Sequence, residues 1–294
     1  MVALLLADAR ADPSAVGKNG DTALLVAAHN GNASVVALLL ADARVDPAVA
    51  NADGNTVLMC AAGEGHASVV SLLLADARVD PNSANGEGST ALLFAAHGGH
   101  TEAAALLLGD ARVDPNLKDK DGDSALVTAA SRGLPAMVQL LLGDARVDPN
   151  VTDTNNSSAL ILAAFGGHLS VAEVLLKDQR VALNVVDEDG DTALLIATSK
   201  GHGDIVALLL GDERVDPTIS GEDGSSLLIL ASHKGREDVV KRLLADDRID
   251  PNGANVHGAT ALMWAAREGH SGVAKILLAD QRVDPAAVDE TGKW

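Results

Sequence analysis

The chain has 294 residues, a formal net charge of −19 and an apolar content of 47%. So acidic a surface repels phosphate backbones and anionic headgroups, which argues against nucleic acid and membrane surfaces as partners. A single cysteine, Cys60, excludes an internal disulfide; with no Tyr, and only Phe94, Phe165, Trp264 and Trp294 as aromatics, Ala, Leu and Val must fill the interior.

The N-terminal run Met1-Val2-Ala3-Leu4-Leu5-Leu6-Ala7 lacks the basic flank of a signal peptide and returns later as Val35-Val36-Ala37-Leu38-Leu39-Leu40-Ala41. It reads as a piece of a repeat. No apolar stretch approaches the ~20 residues of a membrane span. Cys60 reads as a small buried hydrophobe. The expected setting is intracellular and cytoplasmic, with the nucleus as the alternative.

The repeat itself has a period of 34 residues. Gly20, Gly54, Gly88, Gly122, Gly190, Gly224, Gly258 and Gly292 keep the step, with Asn156 at the one grid point lacking Gly. Asn is the usual substitute where the backbone needs a positive φ. Leu24, Ala27 and Gly31 open three further columns with the same step. Each unit is predicted to run turn, helix, turn, helix. Ser or Thr recurs as an N-cap at Thr22, Thr56, Thr90, Ser124, Ser158, Thr192, Ser226 and Thr260. Leu24, Ala27 and Ala28 then form one apolar face, and Gly31 ends the first helix. A second helix is predicted from about Ala33 to Ala41, with Val35, Val36, Leu39 and Leu40 inward. Helices this short need stacking on their neighbours to survive. Pairs such as Asp53-Gly54, Asp121-Gly122, Asp189-Gly190 and Asp223-Gly224 predict tight hairpins that project as fingers.

The second helix is followed in every unit by Asp-x-Arg, as in Asp42/Arg44, Asp76/Arg78, Asp110/Arg112 and Asp144/Arg146. A second Asp follows, usually before Pro, and Ala182 is the one gap in that column. A binding ladder for ions or partners is one reading. A structural ladder is the favoured one: Arg past a helix C-terminus complements the macrodipole, donates to free carbonyls and suits nearby carboxylates. The motif also accounts for much of the acidity.

In this pattern the chain resembles the ankyrin-repeat family. Gly54-Asn55-Thr56-Val57-Leu58-Met59-Cys60-Ala61-Ala62, Gly65-His66 and Val69-Val70-Ser71-Leu72-Leu73-Leu74 carry the likeness. It covers essentially all of 1–294 as one array: a partial unit at 1–19, repeats starting near 20, 54, 88, 122, 156, 190, 224 and 258, and a partial start at 292. The resemblance implies an all-α solenoid of stacked helix-turn-helix repeats with projecting hairpin-like fingers. The family's Pro and first-helix His are replaced here by residues such as Val57 and Met59. The inter-repeat hydrogen bonds of that His are therefore expected to be missing. The resemblance also implies a protein partner on a concave face of finger turns and exposed first-helix sides, without a small-molecule substrate.

Carried onto this sequence, the fingers offer Asp53, Glu87, Asp121, Glu188, Asp189, Glu222 and Asp223, set against Lys18 and Lys120. The groove offers His97, Arg132, Phe165, Ser199 and His233. Phe165 is the favoured anchor, because its column varies while its neighbours are fixed. The acidic fingers suggest a partner segment of basic character. Trp264 shares a column with Val26, Cys60, Phe94 and Thr128 that reads as core, and Arg242 reads as a side chain reaching outward. His66, His100, His168, His202 and His270 fall one to a repeat, about 10 Å apart, too far to share a metal ion. They read as bridging the turn between helices. No catalytic or cofactor-binding set stands out from the repeat. The expected function is a non-enzymatic interaction scaffold. The alternative is a regulatory ankyrin fragment of a larger kinase, ubiquitin ligase or channel, suggested by the incomplete units at both ends.

Overall fold

The computed structural model describes residues 12–17, 20–221, 223–290 and 292. The readings made at 1–11, Lys18, Glu222 and Trp294 lie outside the described residues.

Sixteen helices occur among the described residues, and they fall in two compact units, Met1–Thr154 and Asn155–Trp294. The first unit holds four helix pairs: α1 (Ala23–His29) with α2 (Ala33–Leu40), α3 (Val57–Gly63) with α4 (Ala67–Leu74), α5 (Ala91–Gly98) with α6 (Thr101–Gly109), and α7 (Ala125–Ser131) with α8 (Pro135–Leu142). The second holds α9 (Ala159–Gly166) with α10 (Leu169–Lys177), α11 (Ala193–Lys200) with α12 (Gly203–Leu210), α13 (Leu227–His233) with α14 (Glu237–Leu244), and α15 (Ala261–Arg267) with α16 (Ser271–Ala279). Within each unit, first helices pack on first helices and second helices on second, giving two layers. Each unit is an all-α stack of helix-turn-helix repeats.

Local chemistry explains the repeat. Thr22, Thr56, Thr90, Ser124, Ser158, Thr192 and Ser226 each accept a hydrogen bond from the backbone N–H three residues on, capping the first helix. Leu24, Ala27 and Ala28 are buried, as are their equivalents in most repeats. The small Ala side chains let successive first helices approach closely. In the second helix Val36 and Leu39 are buried, while Val35 and Leu40 are only partly covered.

The fingers are pinned to one another by backbone. Lys120 N–H donates to Glu87 O at 2.9 Å and Thr154 N–H to Asp121 O at 3.0 Å; in the second unit Glu188 N–H donates to Asn155 O at 2.9 Å. Gly122 shows why glycine holds this column. Its φ is +81°, and a Cβ would lie 2.6 Å from the Thr154 nitrogen of the next finger. Asn156 takes the same left-handed conformation at φ 59°, the one non-glycine to do so among the described residues, as its place in the glycine column predicts.

The turn after the second helix carries the Asp-x-Arg pairs. Arg78 donates to Asp76 through Nε and Nη2 at 3.0 and 2.6 Å, and reaches back to Val45 O at 3.1 Å and Leu40 O at 3.2 Å. Arg112 contacts Asp110, Val79 O and Leu74 O in the same way; Arg146 contacts Asp144, Val113 O and Leu108 O. Arg44 pairs with Asp42 at 2.6 Å. Each of Arg78, Arg112 and Arg146 thus joins its own turn to helix-end carbonyls one repeat earlier. Hydrogen bonding to Arg44 holds the Asp42 carboxyl at about 2, well below the ordinary range. The intervening Val45, Val79, Val113, Val147 and Val181 are buried plugs, which the polar motif around them masks in the sequence.

Candidate functional site

The fingers and the first helices meet most clearly in the first unit. A cavity of about 430 Å³ is lined by Ser89, Leu93, Phe94, His97, Asp119, Asp121, Asp123 and Thr128. Its wall on one side is helix α5, held by its Thr90 cap. The other side is the next finger, shaped by Asp119, whose Oδ1 accepts from the backbone N–H of Asp121 and Asp123. Two predicted residues, His97 and Asp121, come together here. Arg132 adjoins them, with Nη1 3.3 Å from His97 Nε2. Phe94, Asp119 and Asp123 join them without having been singled out by sequence reasoning.

Phe94 belongs to the column that reads as core, and the structure corrects that reading. Val26 is 50% exposed, Phe94 and Trp264 are half-buried, and Ile196 is the buried member of the column. The reason is angular: residue 26 lies about 200° around the helix from Leu24, on the opposite face. The variety of side chains in that column was the available signal.

Asp123 is the most perturbed carboxyl of this site. Burial, with the nearby charges of Asp119, Asp153 and Asp121, pushes it up to about 6. A cation placed among these carboxylates would relieve that repulsion beside the Phe94 side chain.

The remaining candidates are spread out. Asp53, Glu87, Asp189 and Asp223 are exposed on separate fingers. Glu87 lies 3.7 Å from Lys120, and Asp223 accepts from Ser225 N–H and Oγ at 2.9 and 2.8 Å. In the second unit Phe165 is 56% exposed, with Lys200 Nζ 3.9 Å from its ring centroid. It does not pack away as a plain core residue would. Ser199 is half-buried beside Lys200, and its carbonyl accepts from Arg236 Nε at 3.3 Å. His233 is half-buried against Trp264, centroids 4.6 Å apart. Arg242 does reach outward, to Asp204 at 2.9 Å.

The histidine column bridges repeats rather than the two helices of one repeat. His66 Nε2 lies 2.9 Å from His29 O, His202 3.3 Å from Phe165 O, and His270 3.0 Å from His233 O. These contacts join neighbouring repeats from a column other than that of the absent first-helix His. Cys60 is half-buried rather than fully buried as its reading as a core hydrophobe expects, and partial burial, with the charges of Asp21 and Glu64, raises its thiol to about 11. No helix among the described residues is long and apolar enough to cross a membrane.

No curated protein matches the chain. A family model described as ankyrin repeats (3 copies) matches residues 1–85, 77–153, 129–221 and 208–289. Ankyrin repeats are generally modules for protein–protein interaction and typically non-catalytic. With helix pairs, capped first helices and hydrogen-bonded fingers in both units, and this match across most of its length, the chain belongs to the ankyrin-repeat family.

Proposed function

We propose that this chain is an interaction scaffold, one array by its unbroken 34-residue period, that holds a partner protein along its fingers and first helices. The partner segment is basic where it meets the first unit. The observation that carries this reading is the cavity lined by Phe94 together with Asp119, Asp121 and Asp123. A lysine or arginine side chain fits its chemistry: carboxylates pair with the charge and the aromatic wall takes the apolar stem. Nucleic acid has no place in this reading, because a net charge of −19 repels phosphate.

Affinity purification with mass spectrometry, run on the wild-type chain and on D119N/D121N at about 0.15 M salt, tests it. Partners of the wild type should carry an accessible basic segment and be depleted at least tenfold on the variant. Recovery of the same partners on both would overturn the assignment of this face.

A further inference from the structure

The eight first helices have the same length within one residue and end at the same left-handed glycine column, yet their last-turn side chains differ. In the second unit Lys200, Lys234 and Arg267 stand exposed at this edge. Lys200 and Lys234 share a column with Gly166 and Glu268, against Asn30, Glu64, Gly98 and Arg132 in the first unit; Arg267 stands one position earlier, where the first unit has His29, Gly63, His97 and Ser131. Complementing the helix macrodipole does not account for the difference, because all eight helices present the same C-terminal carbonyls.

Two of these cations stand over rings. Lys200 Nζ is 3.9 Å from the Phe165 centroid and the Arg267 guanidinium carbon 5.0 Å from that of Trp264. Lys200 and Lys234 have no carboxylate within ion-pair distance among the described residues, and Arg267 meets only Glu268 at 3.9 Å. In a chain of net charge −19 this edge gathers three cations, two of them over rings, against the single carboxylate of Glu268. The fingers at the opposite, N-terminal ends of these helices carry Glu188, Asp189 and Asp223. Between the two edges lie the half-exposed Leu162, Leu230 and Trp264. First helices of this length span about 12 Å, close to the diameter of an α-helix with its side chains.

We propose that the second unit receives an amphipathic helix of the partner. Its apolar stripe lies over Leu162, Leu230 and Trp264, a row of its carboxylates meets Lys200, Lys234 and Arg267, and a row of its cations meets the fingers. Turning the helix end for end would place like charges against both edges, so the arrangement fixes the direction in which the partner runs. The proposal rests on the scaffold reading above and adds the chemistry and polarity of the bound segment.

The test uses three synthetic helical peptides of about 21 residues, six turns, with one leucine stripe: Glu on one edge and Lys on the other, Lys on both, or Glu on both. Binding to the full chain is followed by fluorescence anisotropy at about 0.15 M salt, where non-specific attraction is screened. The two-edged peptide should bind at least tenfold more tightly than either single-charge peptide. K200E/K234E/R267E should erase that preference and favour the all-Lys peptide, and a photo-cross-linker at the peptide N-terminus should label one end of the unit. An all-Lys peptide that binds the wild type as tightly as the two-edged one, or a preference untouched by the triple variant, overturns the proposal. Peptide binding indifferent to both the triple variant and Leu230→Arg would place binding off this face and overturn the proposal, while the scaffold reading stands or falls by the D119N/D121N comparison.

Discussion

Arg112 Nη2 donates to the carbonyl of Leu74, 38 residues earlier, at 2.8 Å, while the same guanidinium grips Asp110 at 2.6 Å. One side chain therefore closes its own turn and caps a helix of the preceding repeat. Arg112→Ala should cost about 1–2 kcal/mol, because helix-end carbonyls lose a charged donor. Arg112→Lys should recover little of this, since an ammonium cannot reproduce the planar fork. Urea melts of the full chain report the change. An unshifted midpoint for Arg112→Ala would show that water serves those carbonyls equally well.

Two glycines separate conformational need from mere flexibility. Gly122→Ala should destabilise by about 2 kcal/mol or more, since it combines positive φ with a close approach to Thr154 nitrogen. A Cβ at Gly109, the end of α6, would meet nothing within 4 Å, and Gly109→Ala should stabilise by about 0.5–1 kcal/mol. Thermal denaturation distinguishes the pair; equal effects would contradict the finger geometry.

Asp123 sets a pH dependence of its own. Its carboxyl is raised to about 6 in the fold, against 3.8 as the ordinary value, so the folded chain holds this proton more tightly than the unfolded chain. Its charge therefore weakens the fold above pH 6, and the penalty is relieved progressively as pH falls from about 6 to 4. Asp123 is partly open to solvent, so after screening the effect should be about 1 kcal/mol. Asp123→Asn should flatten the stability profile between about pH 4 and 7. The ladder carboxylates act the other way: Asp42, held at about 2, supports the fold above about pH 4 and loses that support as pH falls towards 2. A wild-type profile flat across the same range would contradict the assignment for Asp123.

Salt should stabilise the chain. Like-charged fingers repeat about 10 Å apart, a distance that is largely screened near physiological ionic strength. The ladder pairs are direct hydrogen-bonded contacts within a turn and are screened less. Melting temperature should rise between about 10 mM and a few hundred mM NaCl; a falling trend would mean the ladder outweighs the repulsion.

Most of the fold is legible in the sequence because its determinants are local and periodic. Gly122, Asn156 and the Thr22 column declare backbone geometry through residue type alone. The ladder is legible as helix capping, although the reach of Arg78 to Leu40 and Val45 one repeat back needs three dimensions. The site is less legible. Phe94 reads as core because an apolar residue beside a buried Ala pair looks alike on either face of a seven- or eight-residue helix. The Asp119–Asp123 finger is a run of separate acidic residues in the sequence, so its convergence on Phe94 is invisible there. Lys200 and Arg267 do not stand out because only their rings make them a surface, and Phe165 and Trp264 occupy different columns from the cations they support.

The proposed scaffold holds its partner on the finger and first-helix face. Hydrogen–deuterium exchange on the full chain, alone and with its affinity-purified partner, tests it most directly. Protection gained over α5 and the finger at 117–124, with the second helices α6 and α10 unchanged, is the predicted result. Protection confined to α6, α10 and the Asp-x-Arg turns would contradict it.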